Sequence, residues 1–73
     1  MDDKSEFLKK IGLRITELRD LNKISQLDLS IKAGIDERTL RRIESGTMNS
    51  SIYNLYKISN VLNMKLQDLL KIF

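Results

Sequence analysis

Glu37, Arg38, Thr39, Arg41 and Arg42 all carry side chains that donate or accept hydrogen bonds, and only Leu40 interrupts the run. Three of them are guanidiniums, whose planar forks suit paired acceptors. This is chemistry for recognition. The means for catalysis are missing from the same chain. With 0 His and 0 Cys, it has no imidazole general base, no thiolate or imidazole zinc ligands and no disulfide. Its lone serines lack an activating partner, and neither a glycine-rich phosphate loop nor a carboxylate cluster is evident. The expectation is a protein that is not an enzyme and has no metal, no cofactor and no small-molecule ligand.

The recognition residues need a rigid support, and the apolar spacing predicts one. Phe7, Leu8, Ile11, Ile15, Leu18 and Leu21 recur at intervals of three and four, so residues 5–22 read as an amphipathic helix with one buried stripe, ended by Asn22 and Lys23. Ser25 is placed to cap a second helix, with Asp28 completing a capping box and Ile24 opposite Leu29 as a hydrophobic staple. Gly34 stops it. Asp36 can cap a third helix through residue 45, with Ile35 and Leu40 in the staple positions, and Gly46 ends that one. Asn49 to Ser51 offers caps for a fourth helix with apolar positions Ile52, Leu55, Ile58, Val61 and Leu62, broken at Asn63. Leu66, Leu69, Leu70 and Phe73 give a short fifth, for which Lys65 is a poor cap. No stretch alternates with period two. The chain reads as all-α, with five helices.

Two short helices with their own caps, joined by a turn containing Gly34, form an αα corner crossing at about 120°. Ser30 is small where the helices touch, and Ile35, Leu40 and Ile43 hold the second helix of the corner to the core. The polar run is left on its free face. A B-DNA major groove about 12 Å wide admits one α-helix, and Arg can bind guanine O6 and N7 in a bidentate manner.

At 73 residues, only about 60% of the unfolded chain's surface is buried on folding, so a partner that completes the core is a live expectation. The formal net charge is +3. Residues 1–36 hold seven basic and seven acidic side chains and residues 37–73 six and three, so the excess lies in the second half. That excess suits a polyanion or simply a solvated basic face. The longest apolar run is two residues, and MDDKSE has no basic-then-apolar leader layout, so a cytoplasmic protein that does not cross a membrane is expected.

Several elements agree in register with one known family. ISQLDLSIKAGIDERTLRRIESG resembles the helix-turn-helix of the Cro/phage-repressor-like (XRE) family of bacterial and phage transcription regulators. The likeness runs over residues 7–71: IGxRIxELR before the corner, SQ opening the second helix, AGI at the turn, IExG closing the third and LxxLL near the end. The resemblance implies a lambda-repressor-like domain over residues 1–73, binding double-stranded operator DNA with residues 36–45 in the major groove. Glu37, Arg38 and Arg42 match the positions that reach base edges, and Thr39 and Arg41 flank them toward phosphate. Gln26 matches a phosphate contact that also braces the recognition helix. Arg19 and Glu44 match a partly buried structural ion pair, whereas Arg14 reads as a solvated face. Glu37 has a second reading, an i,i+4 pair with Arg41 on a solvated face.

The chain departs from the family in the loop after IExG, where Thr47, Met48, Asn49, Ser50 and Ser51 stand in place of the usual basic residues and proline. Asn49, Ser50 and Ser51 are expected to contact the DNA backbone, or else to cap the fourth helix. This loop is similar to that of the small controller proteins of restriction–modification systems. Tyr53, Tyr56, Ile72 and Phe73 are a surplus of apolar side chains for a monomer, so a two-fold homodimer built from the last two helices is expected, with Tyr56 and Phe73 in contact. Leu27 and Ile31 stand where relatives carry polar residues. They are expected to cover the first helix or a neighbouring loop; the alternative is an exposed contact for another protein, as in an antitoxin whose DNA binding is secondary. An antitoxin commonly has an added toxin-binding segment, and none is expected here.

Overall fold

Local signals start and stop each helix. In the computed structural model, which describes residues 3–72, the elements are α1 (Asp3–Leu21), α2 (Gln26–Ala33), α3 (Glu37–Ser45), α4 (Ile52–Val61) and α5 (Leu66–Leu69), with no strand among the described residues. Ser25 Oγ accepts from the Asp28 N–H at 3.0 Å and Asp36 Oδ1 from the Arg38 N–H at 2.8 Å, capping α2 and α3. Ser51 caps α4, accepting from the Asn54 N–H at 3.1 Å. Lys65 makes no side-chain cap, and α5 is a single turn. α2 and α3 end in left-handed residues, Gly34 (φ 68°) and Gly46 (φ 76°), where a side chain would be strained.

The core is made of Ile11, Ile15, Leu29, Ala33, Ile35, Leu40, Ile43, Leu55, Ile58, Leu62 and Leu69. α1 packs on α3, α2 on both α3 and α4, and α4 on α5. Buried Ser30 and Ser59 satisfy their hydroxyls on their own helices, bonding the carbonyls of Leu27 and Tyr56. The buried stripe of α1 is narrower than its periodicity predicts, because Phe7 and Leu21 are exposed. α1 has 19 residues and α3 only 9, so α3 is too short to cover the full length of α1.

Two further expectations are corrected. Leu27 and Ile31 are not buried under the first helix or a loop but are 50% and 67% exposed. α2 turns Leu29, Ser30 and Ala33 to α3 and α4, and Leu27 and Ile31 lie on its opposite face. Arg14 is not a solvated face residue. Its Nη2 donates to the Asp68 carbonyl at 2.9 Å, tying α1 to the last turn of α5, the negative end of that turn.

α1 lies close against the end of α3 at Gly12. A Cβ there would sit 2.5 Å from the Ile43 carbonyl oxygen and would collide with the Glu44 carbonyl as well. In an exposed helix, Gly→Ala gains about 1 kcal/mol, but overpacking against backbone costs about 1–3 kcal/mol or more, so the clash wins. Gly12→Ala is expected to destabilise the protein by about 2 kcal/mol in urea unfolding; a gain in stability would show that the helices separate at no cost.

Candidate nucleic-acid interface

α3 is anchored by two side chains. Leu40 and Ile43 are buried, Arg38, Arg41 and Arg42 are exposed, and Glu37 and Thr39 are half-buried. The corner therefore presents a row of guanidiniums outward from a helix whose own core contacts do not involve them. Glu37 Oε1 lies 3.2 Å from Arg41 Nη2, the i,i+4 pair of the alternative reading. Such a pair is worth only a few tenths of a kcal/mol, so a stronger partner can draw either side chain away.

Behind this face lies a polar cluster that joins three helices. Arg19 of α1 grips Glu44 of α3 with a fork, Nε to Oε2 and Nη2 to Oε1, both at 3.1 Å. The side chains are 15% and 6% exposed. The third arm of the guanidinium, Nη1, donates to the Ile24 carbonyl at 3.1 Å, pinning the loop before α2. Glu44 Oε1 also accepts from Thr16 Oγ1 at 2.9 Å and from Gln26 Nε2 at 3.2 Å. Gln26 opens α2, so its side-chain amide and backbone N–H lie together at the helix's positive end. Thr16 is a residue that the sequence reading missed. Its signal was available, because Gly12, Thr16 and Arg19 follow at spacings of four and three and so share one face of α1.

The loop after α3 is engaged with its own helix ends. Thr47 Oγ1 donates to the Arg42 carbonyl at 3.3 Å and lies 2.8 Å from Ser45 Oγ. Asn49 is exposed, Ser50 Oγ donates to the Ser51 carbonyl at 3.2 Å, and Ser51 is the α4 cap. On α4, the exposed rings of Tyr53 and Tyr56 stack with centroids 6.3 Å apart. Lys57 Nζ stands 5.0 Å over the Tyr53 ring and reaches the Gly34 carbonyl at 3.3 Å, linking α4 to the corner. Phe73, the other expected dimer residue, lies outside the described residues. Among the described residues no group of acidic side chains could hold a metal, and no helix is long and apolar enough to cross a membrane.

Comparison with known proteins agrees with this geometry. A family model described as helix-turn-helix matches residues 15–69. An uncharacterized HTH-type transcriptional regulator of Archaeoglobus fulgidus is 36% identical over 56 residues, covering 77% of this chain and 80% of the relative. The restriction–modification controller protein C.AhdI of Aeromonas hydrophila superposes with a TM-score of 0.83 at 32% identity, over 85% of this chain and 94% of that one. The SinR/SinI protein complex contains a chain with a TM-score of 0.80 at 37% identity, over 84% of this chain and 60% of that one.

Removing either partner of the Arg19–Glu44 fork leaves the other charge short of donors or acceptors in a mostly dry site. Arg19→Ala or Glu44→Ala is expected to cost about 3 kcal/mol. A domain of this size loses about 4–8 °C in Tm per kcal/mol, so the melting temperature falls by more than about 10 °C. An unchanged melt for either variant would remove the ion pair from the account of stability.

Proposed function

The chain belongs to the helix-turn-helix family whose model spans residues 15–69, and from that membership we propose that it is a sequence-specific regulator of transcription, binding double-stranded operator DNA as a homodimer. One observation carries the reading: α3 buries Leu40 and Ile43 and leaves Arg38, Arg41 and Arg42 exposed. Set into a major groove about 12 Å wide, α3 reads base edges with Glu37, Arg38 and Arg42, Arg pairing with guanine and Glu37 accepting from cytosine N4. Thr39 and Arg41 meet phosphate on its flanks. Gln26, Asn49, Ser50 and Ser51 hold the DNA backbone, aided by the positive ends of α2 and α4. The family is one of DNA-binding regulators rather than enzymes, and we place the protein in the cytoplasm.

The exposed Tyr56 on α4 supports a two-fold interface there, to which we also assign Phe73. Two such protomers would meet half-sites about 34 Å apart, one helical turn, on an inverted repeat. Regulation then follows from occupancy of a promoter and from the dimer equilibrium. The exposure of Leu27 and Ile31 favours a second reading, in which this helix face contacts another protein and DNA binding is secondary.

In-vitro selection of duplexes at about 0.15 M salt, where non-specific binding is weak, is expected to recover an inverted repeat with half-site centres about 10 base pairs apart. No enrichment by a folded protein would favour the protein-contact reading. On the recovered site, Arg38→Ala is expected to relax preference at one base pair at a cost of about 1–3 kcal/mol, while Gln26→Ala weakens all sequences evenly. Uniform loss from both would contradict the division between reading and positioning. Sedimentation is expected to show a dimer, and a monomer at high micromolar concentration would contradict the two-fold interface.

A further inference from the structure

Gln26 has two amide hydrogens to give, and one is committed inward. Its Nε2 donates to Glu44 Oε1 at 3.2 Å, on a carboxylate that belongs to α3 rather than to Gln26's own helix. That carboxylate cannot swivel freely. The Arg19 fork holds both of its oxygens at 3.1 Å, and Thr16 Oγ1 approaches Oε1 at 2.9 Å from α1. The Thr16 hydroxyl also lies 3.1 Å from the Gly12 carbonyl, a longer and uncharged alternative for its single hydrogen. A hydrogen bond to an ionised acceptor is the stronger of the two.

We propose that Glu44 and Thr16 are positioning residues for DNA binding. Glu44 takes one hydrogen of the Gln26 amide, and Thr16 fixes the direction in which Oε1 faces, so that the remaining amide hydrogen is held ready for a phosphate at the start of α2. α1 thereby contributes to DNA affinity without touching DNA. The ion pair acquires a second role, because the same carboxylate sets the end of the recognition helix and the phosphate grip of its neighbour. This inference rests on the assignment of Gln26 to a phosphate.

The test is a mutant cycle on the whole chain, read as affinity for the selected site and for a duplex of arbitrary sequence at low salt, where phosphate contacts dominate. Thr16→Val removes only the hydroxyl and leaves the fork in place. Glu44→Asp keeps the charge but withdraws the carboxylate from Gln26. Each is expected to weaken both duplexes by the same factor, about three- to tenfold, the span of one ordinary hydrogen bond. Thr16→Val is expected to have no further effect in a Gln26→Ala background, whereas Glu44→Asp, which also loosens the fork, keeps part of its effect there; Thr16→Ser restores native affinity. Affinities are compared at a temperature where circular dichroism shows every variant folded. In the DNA-free protein, Thr16→Val is expected to shift the two Gln26 side-chain amide protons in the NMR spectrum, independently of any binding measurement.

Equal losses with and without Gln26 would show that these residues act through the fold, and would overturn the proposal. So would native affinity in Thr16→Val and Glu44→Asp when Gln26→Ala itself binds weakly; in that case the phosphate contact survives and its positioning does not. Native affinity in Gln26→Ala would instead remove the phosphate contact, and the proposal with it.

Discussion

One carboxylate is the point on which the three helices of the DNA-binding half converge. Glu44 stands in the last turn of α3, where the helix dipole disfavours a negative charge, and its side chain is nearly removed from water. An isolated carboxylate in that position would be a liability of several kcal/mol. Donors from Thr16 and Arg19 on α1 and from Gln26 on α2 offset the penalty. Satisfying that charge therefore requires the ends of α1, α2 and α3 to meet in one arrangement. Gly12 makes the meeting possible by letting the α3 carbonyls lie against α1.

The remaining order is mostly local. α2, α3 and α4 have 8, 9 and 10 residues, shorter than the roughly 12–15 at which isolated helices become even marginal in water. They persist through side-chain caps at Ser25, Asp36 and Ser51 and through one buried face each. Because α2 packs on both α3 and α4, the angle of the corner is held from two sides. The exposed arginine face of α3 is thus mounted on short elements whose orientation is tertiary in origin.

This division explains what could be read in the sequence. Caps and left-handed stops depend on residues within one turn of each other, so Ser25, Gly34, Asp36 and Gly46 were visible directly. Helical spacing made Leu55, Ile58 and Leu62 visible as core positions, although Ile52, read into the same stripe, is exposed. What the periodicity of α1 could not reveal was how far its partners extend, so Phe7 and Leu21 were assigned to a stripe that the shorter α3 does not cover. Leu27 and Ile31 were misplaced because hydrophobicity says which side chains gain from burial, not which element crosses them. Arg14 and Thr16 escaped because their partners, the Asp68 carbonyl and Glu44, are distant in sequence. Arg19 and Glu44 are as far apart, and they were found only through resemblance to a known pattern.

The economy of α3's anchoring bears on how such a protein can change over time. Leu40 and Ile43 hold the helix, while Arg38, Arg41 and Arg42 project into solvent and take no part in the core. Exposed helix positions usually alter stability by no more than about 0.5 kcal/mol when substituted. Drift at the three arginines is therefore nearly invisible to folding, and lineages carrying the same scaffold can diverge in the face that α3 presents without passing through an unfolded intermediate.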